Sequence, residues 1–149
     1  MPFSRATSAG YLINDLARRF AAALQTRIKP MGLSTGVFPI MVQLWEDDGL
    51  TPADLVRRIG IEQATMANTL TRMQRDGLID RRPSQADGRA QEVRLTEKGR
   101  KLQVPAIEAA LAVNASALSG LSSDERSQFL NLLSKTIDTF DAAAETARS

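Results

Sequence analysis

The sequence predicts a mainly helical fold interrupted by a single β-hairpin, and three observations carry that reading. Only seven of its 149 residues are aromatic, so aliphatic and alanine-rich packing must supply the core. Apolar residues recur at helical spacing in six segments, and one short region alternates as paired strands do. The chain has one domain's length, with 43% hydrophobic and 24% charged residues, enough to bury a core without covalent staples.

A first helix over 8–29 sets Leu12, Leu16, Phe20, Leu24 and Ile28 four apart, with Ile13 and Ala17 alongside. Pro30 and Gly32 end it. Ser34 is expected to cap a second helix running to Glu46, with Val37, Phe38, Met41, Val42, Leu44 and Trp45 largely inward and Pro39 bending its second turn. The acidic turn Glu46-Asp47-Asp48-Gly49 reads as a solvated helix exit, because consecutive carboxylates diverge too far to share a metal. Thr51 and Pro52 form the cap and first position of a short third helix that buries Leu55, Val56 and Ile59 and closes at Gly60. A fourth helix over 63–76 turns Met66, Leu70 and Met73 to one face and stops at Gly77. Strands over 79–82 and 90–95 follow, Val93 and Leu95 alternating in the second, with a polar, turn-rich loop over 83–89 between them. Thr96 caps a long helix to about residue 118, kinked at Pro105. Ser122-Ser123-Asp124-Glu125 is a capping box for the last helix, whose apolar band is Phe129, Leu130, Leu132, Leu133, Ile137 and Phe140.

In this order the middle of the chain is a helix-turn-helix followed by a hairpin, which is a winged helix-turn-helix over 33–102. Helices over 1–32 and 103–149 flank it. By the 100° rule the first and last helices carry apolar bands roughly 160° wide, broader than the ~100° stripe that one core contact needs. A self-contained bundle and a dimer account for that width equally well.

Composition excludes several functions. There is no Cys, which removes disulfides, thiolate metal sites and thiol redox sensing, and no His, which leaves only carboxylates for zinc. No metal or cofactor is therefore expected. A Ser-His or Cys-His catalytic pair is impossible and no glycine loop cradles phosphate, so the chain does not read as an enzyme. The N-terminus lacks an apolar signal segment, and the longest uncharged runs, 30–45 and 109–123, are too short and too punctuated to span a bilayer. A cytoplasmic, non-membrane protein is expected. Net charge is only +2, but residues 54–101 hold eleven Lys/Arg against seven Asp/Glu while the rest holds eight against ten. A basic middle between acidic flanks fits nucleic-acid binding.

A helix-turn-helix reads DNA with the outer face of its second helix. With Met66, Leu70 and Met73 inward, Ala64, Asn68, Thr71 and Arg75 turn outward, Arg72 lies beside them, and Gln63 and Thr65 stand at the leading end. Gln and Asn pair bidentately with adenine, and Ala and Thr suit a thymine methyl. Arg72, Arg75 and, on the first strand, Arg81 suit phosphates. In the hairpin loop, Asp87-Gly88-Arg89 sets an arginine at a protruding turn, with Asp87 near enough to orient it; such an arginine enters a narrow minor groove. Tyr11, Asp15, Arg18 and Arg19 on the first helix, with Phe38, Met41 and Trp45 on the second, are candidates to line a pocket for an aromatic or anionic effector.

The run Asp87-Gly88-Arg89-Ala90-Gln91-Glu92-Val93-Arg94-Leu95-Thr96-Glu97-Lys98-Gly99 resembles the wing signature DxRxxxVxLTxxG of the MarR family of bacterial transcription regulators. Residues 65–79 are similar to that family's recognition helix and its exit into the wing, and Gly32-Leu33-Ser34 also fits. The resemblance implies a homodimer whose first and last helices interlock, bound to double-stranded operator DNA. It further implies a repressor that lets go of DNA when a small anionic or phenolic ligand binds. Asn68 stands where many members have Arg, so the operator need not follow a common pattern. The lack of Cys and His removes the thiol-oxidation and zinc-sensing variants. The rival reading is a winged-helix protein-interaction module without direct DNA contact.

Overall fold

The computed structural model describes residues 2–86 and 88–149. The chain divides into two compact units, Met1–Val113 and Asn114–Ser149. The architecture is mainly α with a two-stranded antiparallel sheet, and its middle is a winged helix-turn-helix.

In the first unit, α1 (Ala9–Ile28) starts where the Ser8 hydroxyl accepts the Tyr11 N–H at 3.2 Å. Lys29–Met31 then tightens into a 3-10 turn, and Gly32 leaves it at φ +78°, a conformation that favours glycine. The second helix, α2 (Phe38–Glu46), begins later than the sequence predicts. Ser34 does not cap it; its carbonyl instead accepts the N–H groups of Val37 and Phe38 in a preceding turn. Pro39 accordingly stands in the first turn of α2, where its missing N–H interrupts no helical bond.

Next come α3 (Pro52–Ile59) and α4 (Gln63–Arg75), separated at Gly60 with φ +80°. Strands β1 (Ile79–Pro83) and β2 (Gln91–Leu95) pair antiparallel, Ile79 opposite Leu95 and Arg81 opposite Val93. Leu50 adds a third rung: its carbonyl accepts the Val93 N–H at 2.8 Å while the Gly49 N–H donates to Val93. The single long helix expected after Thr96 is in fact two, α5 (Glu97–Lys101) and α6 (Gln103–Ala117). Pro105 has no N–H for the carbonyl four residues back and its ring crowds that carbonyl, so the helical bonding is interrupted at Leu102, whose backbone dihedrals stay helical.

The core lies between these elements. Ile28 of α1, Ile40, Met41 and Leu44 of α2, Leu55 of α3, Met66, Leu70 and Met73 of α4, Ile79 and Val93 of the hairpin and Ala106 of α6 are all buried. Aliphatic side chains and methionines dominate it, as the shortage of aromatics requires. By contrast, the first half of α1 exposes Tyr11, Leu12, Ile13 and Leu16.

The second unit holds the end of α6 and α7 (Ser123–Arg148). Ser122 and Glu125 close the expected capping box: the Glu125 N–H donates to the Ser122 hydroxyl at 3.2 Å and the Ser122 N–H to the Glu125 carboxylate at 2.9 Å. That bond holds the Glu125 carboxyl below its ordinary pKa. No residue of α7 is buried, and Leu130, Leu132, Ile137 and Phe140 are each more than half exposed. No helix among the described residues is long and apolar enough to cross a membrane, and no metal-holding cluster of acids occurs among them.

Candidate nucleic-acid interface

The interface is built on α3 and α4. Thr51 fixes the start of α3: its hydroxyl accepts the Asp54 N–H at 3.1 Å and its own N–H donates to the Asp54 carboxylate at 3.0 Å. The Thr51 N–H and the Arg57 guanidinium, 2.7 Å away, hold the Asp54 carboxyl below the usual carboxylate range. With α3 so capped at one end and closed by Gly60 at the other, only Glu62 and its neighbours are left to turn the chain into α4.

Burial divides α4 sharply. Met66, Leu70 and Met73 are enclosed, and Thr69 joins them, its hydroxyl donating to the Thr65 carbonyl at 2.8 Å. That back-bond satisfies the hydroxyl, so a polar residue fits the core face. Gln63, Ala64, Thr65, Asn68, Thr71, Arg72 and Arg75 are all exposed. One helix face thus presents amide, methyl and hydroxyl groups, with guanidinium groups toward its C-terminal end.

The arginines differ in how free they are. Arg57 pairs with Asp54, Arg58 with Asp47 at 3.1 Å and Arg75 with Asp76 at 3.5 Å, all near the surface, where such pairs contribute roughly 0–1 kcal/mol and yield readily to phosphate. Arg72 has no partner among the described residues. Arg81 is placed otherwise than a simple phosphate contact requires. It lies opposite Val93 on the inner side of the hairpin, is half-buried, and donates from Nη2 to the Thr71 hydroxyl at 3.3 Å, while its buried Nε finds no acceptor. Thr71 in turn donates to the Ala67 carbonyl, so its hydroxyl is engaged on both sides and its methyl is the group left for a base. Together with Gln63 and apolar residues of α3 and α4, Arg81 lines a cleft of about 270 Å³.

The wing loop closes where the Ser84 N–H donates to the Ala90 carbonyl at 2.8 Å. Gly88 and Arg89 are exposed on it, and Asp87 lies outside the described residues. Sequence reasoning missed the wing's attachment. Asp48, read as part of a solvated exit, is half-buried: its Oδ1 accepts the Gly49 N–H at 3.0 Å and the Leu95 N–H at 2.9 Å, tying the α2–α3 turn to the end of β2. No local signal marks that contact, which joins residues 47 apart in sequence.

The candidate effector residues fall into two groups. Tyr11, Asp15 and Arg19 line an open cleft of about 540 Å³ that Arg5 and Leu12 share, and Asp15 pairs with Arg19 at 3.2 Å and Arg18 at 3.7 Å. Phe38, Met41 and Trp45 are not part of it. Met41 has no exposed surface and packs in the core. Phe38 meets Trp45 edge to face at 6.1 Å, and the Trp45 indole N–H donates to the Gly99 carbonyl at 2.9 Å.

Residues 31–90 match the sequence model of the MarR family. Among solved structures, a MarR transcriptional regulator from Methanosarcina mazei superposes with a TM-score of 0.84 at 25% identity, over 90% of this chain and 96% of that one. BpsR of Bordetella bronchiseptica, whose DNA binding is regulated by 6-hydroxynicotinic acid, gives 0.83 at 27% identity over 93% and 99%. A regulator from Listeria monocytogenes, solved with a 26-mer DNA, gives 0.82 at 23% identity over 89% of each chain.

Proposed function

We propose that this chain, whose residues 31–90 match the MarR family model, is a cytoplasmic homodimer that binds operator DNA and represses until a small ligand releases it. One observation carries the reading: every residue of α4 that the sequence assigns to the major groove is exposed, while Met66, Thr69, Leu70 and Met73 are buried. Such a face, with Gln63 and Asn68 toward its start and Arg72 and Arg75 toward its end, suits base contacts flanked by phosphate contacts. Arg89 on the wing suits the adjacent minor groove. A Listeria monocytogenes protein of the same fold, solved with a 26-mer DNA, supports DNA as the partner.

The dimer is supported by the exposed apolar bands of α1 and α7, which a second copy would cover: Leu12, Ile13 and Leu16 on one, Leu130, Ile137 and Phe140 on the other. Release by a small ligand is supported by the Bordetella relative. In this chain Tyr11, Asp15, Arg18 and Arg19 are the proposed contacts, three of which line one cleft. Footprinting the purified protein across its own gene neighbourhood tests the function. A protected, two-fold symmetric site is expected; uniform coverage or none would contradict sequence-specific regulation.

A further inference from the structure

We propose that the cleft at the base of the wing, which no residue of α4 lines, binds a small dianionic oxyanion such as a phosphate monoester. The cavity measures about 310 Å³ and lies on the outer side of the hairpin. Arg82, Glu92 and Arg94 reach it from the strands, Gln85 from the loop, Asp48 from the α2–α3 turn and Arg100 from α5. Its volume falls at the small end of the range that metabolite sites occupy, roughly 300–1,000 Å³.

Three arginines and two acids line it, and the hydrogen bonds decide which charges remain available. Glu92 is committed to Arg94, whose Nε and Nη2 donate to one carboxylate oxygen at 3.1 and 2.7 Å. Asp48 is committed through Oδ1 to the Gly49 and Leu95 N–H groups. Arg100 donates only Nη1, to the Leu95 carbonyl at 2.8 Å, which fixes its direction and leaves its other donors open. The Arg82 guanidinium has no hydrogen bond or ion pair among the described residues. Two forked guanidinium groups and the Gln85 amide therefore meet in one cavity with unfilled donor capacity, an arrangement matched to the several oxygens of a phosphate.

The occupant would sit at the joint of the wing. The Arg94 guanidinium lies against Gly49, whose φ of +85° favours glycine, and Asp48 holds Leu95. An anion drawing on Arg94 or Arg100 would act on the contacts that set the hairpin against the α2–α3 turn. Only this consequence for DNA rests on the function proposed above; the binding step does not.

The test uses the full chain without DNA. Inorganic phosphate and glucose 6-phosphate are titrated at constant ionic strength near pH ~7.5, where phosphate is mostly dianionic. Binding is read from arginine side-chain N–H resonances and from the fluorescence of Trp45, the single tryptophan, which bonds the residue preceding Arg100. A saturable response at ~1–10 mM is expected, weakened at least about fivefold by Arg82→Gln and by Arg100→Gln and unchanged by Arg27→Gln on α1. A linear response, or one that survives in the Arg82→Gln/Arg100→Gln double variant, would overturn the site. So would variants that lose DNA affinity with no phosphate response in the parent, which would assign these arginines to the DNA backbone.

Discussion

The α-carbon of Gly99 rests directly against the backbone carbonyl of Leu78, a contact too close to admit any side chain. Around it, the Gly99 N–H donates to the Thr96 hydroxyl at 3.0 Å, that hydroxyl reaches the Gly77 carbonyl at 2.6 Å, and the Gly99 carbonyl receives the Trp45 indole. The Thr96-x-x-Gly99 end of the wing signature is thus the point where the exit of α4, the start of α5 and the core of α2 converge. Gly99→Ala must push one backbone off another, since Leu78 is not the movable end of a flexible side chain. A loss of about 1–3 kcal/mol is expected from denaturant midpoints. A midpoint equal to the parent's would show that α5 can shift freely.

The capping box of α3 predicts a second effect on stability. Thr51→Ala removes the acceptor for the Asp54 N–H and should cost about 0.5–2 kcal/mol. Asp54 adds a pH dependence whose sign follows from its lowered pKa. Its contribution is fully present above the ordinary carboxylate pKa and is lost as pH falls through the lower, folded value. Asp54→Asn should therefore be less stable than the parent at neutral pH, with the gap narrowing in acid below the ordinary carboxylate range. Urea melts at several pH values check this; a gap that widens in acid contradicts it.

Asn68 and Arg72 separate reading from anchoring. Asn68→Ala should cost about 1–3 kcal/mol on the preferred operator and relax one base position per half-site. Arg72→Ala should weaken all sequences alike. Selection of binding sites from a random pool measures both. An unchanged preference with Asn68→Ala would mean that α4 meets the groove in another register.

The wing carries a sign test. Arg89→Ala should reduce operator affinity about 10–100-fold, or ~1.4–2.8 kcal/mol, the range of a charge-assisted contact. Asp87→Ala should also weaken binding if Asp87 orients Arg89, although removing a negative charge near DNA predicts a gain from electrostatics alone. Fluorescence anisotropy with operator DNA distinguishes the two, and tighter binding by a folded Asp87→Ala dimer would remove the orienting role.

These residues also show what the sequence makes legible. The 3.6-residue periodicity of Met66, Leu70 and Met73 placed the groove-facing side of α4 because burial there follows one face of a regular helix. The hairpin followed from alternation at Val93 and Leu95, although its register did not. Less legible were contacts between elements distant in sequence. Nothing local marks Asp48 as the acceptor for Leu95, or turns Arg81 inward to Thr71 while leaving Arg82 outside. At Ser34 a good capping residue lost to a preceding turn, whereas the proline signal at Pro105 marks the place where the helical bonding is interrupted.

The central claim, a dimer clamping DNA with both lobes, is tested most directly by operator affinity measured against salt concentration. Two lobes offering Arg57, Arg58, Arg72, Arg75 and neighbouring cations would neutralise on the order of 6–10 phosphates, so log K should fall with log salt at a slope of roughly −5 to −9. Sedimentation of the same sample should show a dimer at micromolar concentration. A flat salt response, or a monomer under those conditions, would contradict the account and favour a winged helix that binds protein instead.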